Sequence, residues 1–143
     1  MEIELKPSRY GEGDRSFRAA GGEEGVAQLV EYFYEAMSTL PEAKRIREMH
    51  GEDLHLVTDK LKCFLCGWLG GPRLFDEKYG PIRIPVAHAH LPIDANDRDM
   101  WLHCMAEALK KMPYEEDFKE YLLRALRVPA ERIRHVCSGP EKS

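Results

Sequence analysis

Hydrophobic residues recur every three to four positions in four stretches of the chain, which is the spacing of a helix with one buried face. The first stretch follows Glu23 and Glu24, acids suited to a helix N-terminus, and ends before Pro41. The second runs from about Asp53 to Leu69, where Gly-Gly-Pro ends it. The apolar faces of these two predicted helices are Val26, Leu29, Val30, Phe33, Tyr34 and Met37, and then Val57, Leu61, Phe64, Leu65 and Trp68.

Two further helices are predicted in the C-terminal half. One opens near Asn96 or Asp97, and the other runs from about Tyr114 to Arg127, with a possible extension to His135 beyond a proline. A short helix is predicted after Pro41, because proline suits a first helical turn. No segment alternates apolar and polar residues as a strand does. The fold class is therefore all-α.

Two segments break this helical pattern. Gly11, Gly13, Gly21 and the adjoining Gly22 predict an irregular N-terminal arm over residues 1–21. Residues 71–92 contain four prolines, which restricts that segment to short helical turns. An irregular stretch of roughly 20 residues inside a compact domain usually serves a functional site. We therefore divide the chain into an arm (1–21), a helical domain (22–136) and a flexible tail (137–143).

Composition excludes several classes of protein. A chain of 143 residues is expected to form one domain, and a net charge of −4 gives no basic field for nucleic acid. No apolar run reaches the ~18 residues of a membrane span, and the polar N-terminus is not a secretory signal. Four cysteines are too few for a disulfide scaffold. We expect a cytoplasmic protein with reduced thiols.

His88, in the proline-rich segment, is the leading candidate for a residue with a chemical role. It is either an ordinary exposed or hydrogen-bonded histidine or a ligand to a metal or haem iron, and its small apolar neighbours would admit a flat cofactor. With His90 it forms a His-x-His pair, but no strand pattern or third ligand supports chelation. Both main interpretations stay open on composition alone.

Other candidate groups have competing core interpretations. Cys63 and Cys66 form a Cys-x-x-Cys pair, which in the middle of an apolar helix favours buried thiols over a redox site. Tyr34 and Trp101 carry polar donors on apolar stripes, so each either meets backbone within the core or faces a pocket.

Several stretches taken in order resemble one known family, the group II truncated haemoglobins. The matching segments span about residues 11–109, and the most specific are the WLGGP and RDxWLxCM patterns. The segments are GEGDRSFRAAGGEEGVAQLVEYFYEAM, LPEAKRIREMHGEDL, KLKCFLCGWLGGPRLF, RIPVAHAHLPI and DRDMWLHCMAEAL. The resemblance implies a truncated globin: a two-over-two helical sandwich around haem b.

The resemblance also implies roles for individual residues. His88 matches the proximal histidine that binds the haem iron. Tyr34, His50 and Trp101 match donors that face the ligand in the distal pocket, and His50 is also a candidate acid–base group. The residues that would line the haem or distal pocket are Phe33, Val57, Leu61 and Phe64. Lys60 and Arg83 are the candidate contacts to the haem propionates.

The chain departs from the family pattern near the propionates. Pro85 and Ala87 replace two arginines, Phe75 replaces a tyrosine, and His90 replaces a proline. Fewer cationic and hydroxyl contacts predict weaker haem retention than in typical members, and His90 is a second possible iron ligand.

Three functions are compatible with these residues. The first is reversible binding of O2 and other diatomic ligands such as CO or NO. The second is a haem redox enzyme, a nitric oxide dioxygenase or a peroxidase-like enzyme, that needs an external reductase because no flavin or nicotinamide motif is present. The third is a cofactor-free helical interaction module. The chain is expected to be a monomer or homodimer, with no nucleic acid or membrane partner.

Overall fold

The computed structural model describes residues 10–49, 54–80 and 94–138. All the regular secondary structure in those ranges is helical. The helices are α1 (Arg15–Ala19), α2 (Gly22–Thr39), a 3-10 turn (Pro41–Ala43) leading into α3 (Lys44–Met49), α4 (Leu54–Trp68), α5 (Leu74–Tyr79), α6 (Ala95–Lys110) and α7 (Glu116–Ser138).

Helix α2 is the centre of the fold because its apolar face is buried along its whole length. Val26, Leu29, Val30 and Phe33 are fully buried. Burying each such side chain contributes roughly 1.5–3 kcal/mol. Helix α2 packs against α4 and α6, and α6 packs against α7. The result is all-α, as the sequence pattern predicts, and is the two-over-two sandwich that the resemblance implies.

The end of α4 is fixed by backbone contacts around Gly70. The Gly71 N–H donates to the Cys66 carbonyl at 2.8 Å, and the Phe17 N–H donates to the Leu69 carbonyl at 3.0 Å, which ties α1 to this turn. Gly70 has a φ of +96°, and a Cβ added there would overlap the carbonyl oxygen of Gly13. The Gly-Gly-Pro sequence thus ends the helix, and the lack of a side chain at Gly70 leaves room for the backbone of the arm at Gly13.

Replacing Gly70 by alanine is therefore expected to destabilise the fold more than the same change at Gly22. Gly22 also has a positive φ, +71°, but a Cβ there meets nothing within 4 Å. Both variants carry the left-handed cost of about 1–2 kcal/mol. Only Gly70→Ala adds an overlap, worth about 1–3 kcal/mol more. Urea unfolding of the two variants measures the difference, and equal losses would contradict the expectation.

The structure corrects two sequence predictions. The predicted irregular arm contains the helix α1, which is anchored by the buried Ser16 and by the Phe17–Leu69 backbone bond. The last helix continues through Pro129, as the extension to His135 anticipated, and reaches Ser138, two residues into the predicted flexible tail. Local patterns missed α1 because tertiary contacts stabilise it.

Beyond Pro129, helix α7 is held to α6 by an ion-pair network. Glu131 accepts from Arg98 of α6 at 2.6 Å and from Arg134 at 3.0 Å. Hydrogen bonds from Arg134 and then Arg98 lower the pKa of Glu131 to about 2. The carboxylate side chain is 44% exposed, so solvent screening makes the stabilisation modest.

This network predicts how the stability of the fold depends on pH. A carboxylate with a lowered pKa in the folded state stabilises above its ordinary pKa of about 4.3, and the contribution disappears as the pH falls towards 2. Glu131→Gln is therefore expected to be less stable than the wild type at pH 6, with the gap closing between about pH 4.5 and 2. Unfolding midpoints across that range test this, with Glu120→Gln on the exposed side of α7 as control. A gap independent of pH would contradict it.

Three cysteines lie in the interior. Cys63, Cys66 and Cys104 are buried and form no disulfide, and burial raises the pKa of each thiol. The prediction of buried thiols for the Cys63–Cys66 pair is confirmed. Among the described residues, no helix is both long and apolar enough to cross a membrane.

Candidate functional site

Three aromatic side chains from two helices converge beside the core. Phe33 and Tyr34 of α2 have ring centroids 4.9 Å apart, and Phe33 meets Trp101 of α6 at 5.0 Å, both in edge-to-face geometry. Phe33 is fully buried, Tyr34 is 7% exposed and Trp101 is half-buried. The structure therefore brings together three residues that the sequence analysis assigned to one pocket.

The Tyr34 hydroxyl is held in its protonated form. Burial raises the pKa of this tyrosine well above its ordinary value of 10. Because the phenol keeps its proton throughout the physiological range, it is a hydrogen-bond donor at all relevant pH values. The Trp101 indole N–H is a donor only, so the pair supplies donors suited to an electron-rich ligand atom.

One apolar stripe of α4 is left only half-covered. Val57, Leu61, Phe64 and Trp68 recur at intervals of three and four residues, touch the core and remain half-buried. The neighbouring Cys63, Leu65 and Cys66 are fully buried in the same helix. A stripe of large apolar side chains that keeps open surface fits a flat apolar group such as haem.

A polar cluster lies at one side of α4, towards α5. Asp59 accepts from the Tyr79 hydroxyl at 2.5 Å and from the Lys78 ammonium at 2.8 Å. Hydrogen bonds from Lys78 and Tyr79 lower the pKa of Asp59, and the bond to Asp59 raises the pKa of Tyr79 to about 12. The exposed Lys60 places its ammonium 5.4 Å from the Tyr79 ring centroid.

Lys60 is a candidate site residue from the sequence, whereas Asp59 and Tyr79 are not apparent from it. Phe75, which replaces a family tyrosine, lies half-buried against Tyr79 with ring centroids 5.1 Å apart. Tyr79 thus supplies a hydroxyl one helical turn after Phe75, although that hydroxyl is engaged by Asp59. The only sequence signal was the aromatic pair at i and i+4 on a short helix.

His50, Arg83 and His88 lie outside the described residues. His50 directly follows Met49, the last residue of α3. His88 precedes Asp94, the N-cap of α6, by six positions in the sequence. The roles of these three residues stay predictions.

Comparison with known proteins identifies the class of this fold and site. A family model described as bacterial-like globin matches residues 15–134. The chain is 33% identical over 132 residues to group 2 truncated haemoglobin YjbI of Bacillus subtilis, covering 90% of this chain and 98% of the relative.

Solved structures agree with the sequence matches. The group II 2-on-2 haemoglobin of Agrobacterium tumefaciens is 33% identical with a TM-score of 0.79, covering 84% of this chain and 93% of the other. A truncated, oxygen-avid haemoglobin of Bacillus subtilis is also 33% identical, with a TM-score of 0.74 and coverage of 84% and 98%. The chain belongs to the bacterial-like globin family. Within it, the chain is a group II truncated haemoglobin.

This family implies haem as the cofactor, and the described residues fit it. The half-covered stripe of α4 offers apolar surface, and Tyr34 of α2 and Trp101 of α6 each carry a hydrogen-bond donor. Apolar surface together with a few hydrogen-bond donors is what a pocket for a small polar ligand on a flat apolar cofactor requires.

Proposed function

We propose that this chain is a haem b globin that holds iron through His88 and reversibly binds O2 and other diatomic ligands. The observation that carries the proposal is the cluster of Phe33, Tyr34 and Trp101, in which two side chains that carry hydrogen-bond donors pack their rings against one buried ring. The oxygen-avid character of the related haemoglobin of Bacillus subtilis supports it.

Haem, when bound, supplies a ferrous iron with an open coordination position for a diatomic ligand. His88 would hold that iron through a neutral imidazole nitrogen. Attachment of the porphyrin would be non-covalent, because Gly67 follows the Cys63–Cys66 pair where covalent attachment requires histidine. Both thiols are also buried, which is consistent with haem b.

Tyr34 and Trp101 would stabilise the ligand by donating hydrogen bonds to it. Their rings pack against the fully buried Phe33, and Tyr34 is itself only 7% exposed, so little water would compete for its hydroxyl. A hydrogen bond to a group carrying charge contributes about 1.5–3 kcal/mol. His50 would be a third donor, which its sequence position next to α3 allows.

The apolar residues of α2 and α4 would keep water out of this pocket. Phe33 closes the side facing the core, and Val57, Leu61 and Phe64 present aliphatic and aromatic surface along α4. Val57 has no donor group, so polar contacts to the ligand would come from the tyrosine, histidine and tryptophan. Lys60 and Arg83 are the proposed partners of the haem propionates.

The visible spectrum of the purified protein, titrated with haemin, tests the proposal. We expect saturation at one haem per chain and an intense Soret band that shifts when the dithionite-reduced protein receives CO. A shift on CO alone, without stable O2 binding, would favour the redox enzyme. Absence of stoichiometric haem uptake would overturn the proposal and favour the cofactor-free module.

A further inference from the structure

Asp97 is a buried carboxylate that joins two helices. It is 5% exposed, and its two oxygens accept from the Arg45 Nε of α3 at 2.8 and 3.0 Å. It also accepts the backbone N–H of Asp94 at 3.1 Å, and the Asp94 side chain accepts the Asp97 N–H at 2.9 Å. This reciprocal capping box fixes the first turn of α6.

Such a buried charge requires its partner. An isolated carboxylate removed from water is strongly disfavoured unless a cation or several donors compensate it. Arg45 supplies the cation, and its own side chain is 55% exposed, so Asp97 depends on Arg45 more than the reverse. The pair spans 52 positions of sequence, which makes it a tertiary constraint and not a local cap.

Both helices in this contact adjoin segments that carry proposed site residues. Helix α3 ends at Met49, immediately before His50. The N-cap of α6 follows His88 by six residues, a length that reaches about 20 Å at most. Ile46 is buried and Met49 packs against the core, so α3 is a fixed support for the contact.

We infer that Arg45 is a positioning residue for the haem site, because its bond to the buried Asp97 fixes the start of α6 against α3. The inference rests on the proposed haem function. Through this contact the chain fixes the start of α6, the helix that carries Trp101, against α3. Arg45 itself touches neither haem nor ligand in this assignment.

Two substitutions at Arg45 distinguish the contribution of its hydrogen-bond donor from that of its aliphatic chain. In glutamine, the amide nitrogen stands the same number of bonds from Cα as Arg Nε, so Arg45→Gln keeps a donor towards Asp97. Methionine places a methyl group at that position, so Arg45→Met keeps the stem without a donor. The exposed Lys44, the preceding residue, gives the control Lys44→Met.

Haem transfer from the reconstituted protein to excess apomyoglobin is the measurement. We expect Arg45→Met to lose haem about tenfold faster than the wild type or more, Arg45→Gln, which keeps a donor without the charge, to fall between the two, and Lys44→Met to match the wild type. Tyr114→Phe serves as a comparator for general destabilisation, because it removes a hydroxyl donor 2.7 Å from the Ala20 carbonyl, far along the chain from α3. Urea unfolding of each apoprotein accompanies the transfer rates.

Each outcome decides a separate claim. If the wild type takes up no haem, the proposed function fails. If the wild type holds haem and Arg45→Met loses it at the wild-type rate, or if Arg45→Gln behaves like Arg45→Met, the positioning role fails alone. If Tyr114→Phe accelerates haem loss as much as Arg45→Met at equal loss of apoprotein stability, the effect is general destabilisation and the inference is overturned.

Discussion

His88→Gly is expected to abolish the histidine-ligated haem spectrum while leaving the helical fold in place. In the proposed site, His88 is the protein's bond to iron, so its removal eliminates coordination and does not merely weaken it. The spectra of the ferric, reduced and CO-bound forms measure the loss. Because glycine leaves a space where the ring stood, added imidazole is expected to restore the ligated spectrum.

His90→Gly is the matched control for this experiment. The two histidines are two positions apart in the sequence, and His90 is the residue that departs from the family pattern. We expect His90→Gly to keep the wild-type spectra. A normal spectrum in His88→Gly together with a lost spectrum in His90→Gly would assign the iron to His90. Loss in neither variant would contradict histidine ligation within this pair.

Tyr34→Phe is expected to accelerate O2 escape by about tenfold to a hundredfold. The substitution removes one hydroxyl and preserves the ring, so the packing of Phe33 against its neighbour at 4.9 Å is kept. The lost interaction is a hydrogen bond to a ligand that carries partial negative charge, worth about 1.5–3 kcal/mol. CO carries less charge, so its escape rate is expected to change much less.

Stopped-flow displacement of O2 and of CO measures these rates. Tyr32→Phe is the control, because Tyr32 lies on the same helix, is half-buried and has its ring 5.3 Å from the Lys111 ammonium. Equal acceleration of O2 and CO escape would indicate a change in pocket shape. Unchanged O2 escape would show that the Tyr34 hydroxyl does not serve the ligand.

The main helices were predictable because their signals are local. The apolar stripe of α2, its acidic first turn and the proline after its end lie within one stretch of sequence. The same holds for α4, which ends at Trp68, one residue before the predicted limit. The start of α6 differs by one or two residues, because the N-cap is Asp94.

The features that local patterns missed or left open depend on distant contacts. An isolated helix as short as α1 is not stable alone, and it forms here because Phe17 bonds to the turn after α4. The passage of α7 through Pro129 opposes the local proline cost of about 3 kcal/mol, and the bond between Arg98 and Glu131 supports the part beyond it.

The same distinction between local signals and distant contacts applies to the residues of the candidate site. The resemblance pointed to Phe33, Tyr34 and Trp101 because each belongs to a recognisable segment, and the structure packs the rings of Tyr34 and Trp101 against Phe33. It gave no signal for the bonds of Asp59 to Tyr79 or of Arg45 to Asp97, whose partners lie 20 and 52 positions apart. Sequence patterns show which face of a helix is buried, but not which polar group on another helix meets it.

Alkylation of the buried thiols would report when the packing of the protein opens. Cys66 of α4 and Cys104 of α6 belong to the core, and Cys63 is buried on α4 beside Asp59, so an alkylating reagent reaches these thiols only after the packing around them opens. With Cys137→Ser removing the thiol in the last helix, mass spectrometry of labelled chains would follow that separation independently of haem colour. If haem is released before any thiol is labelled, a local opening is enough for haem to leave. If release and labelling occur together, haem loss requires the packed helices to separate.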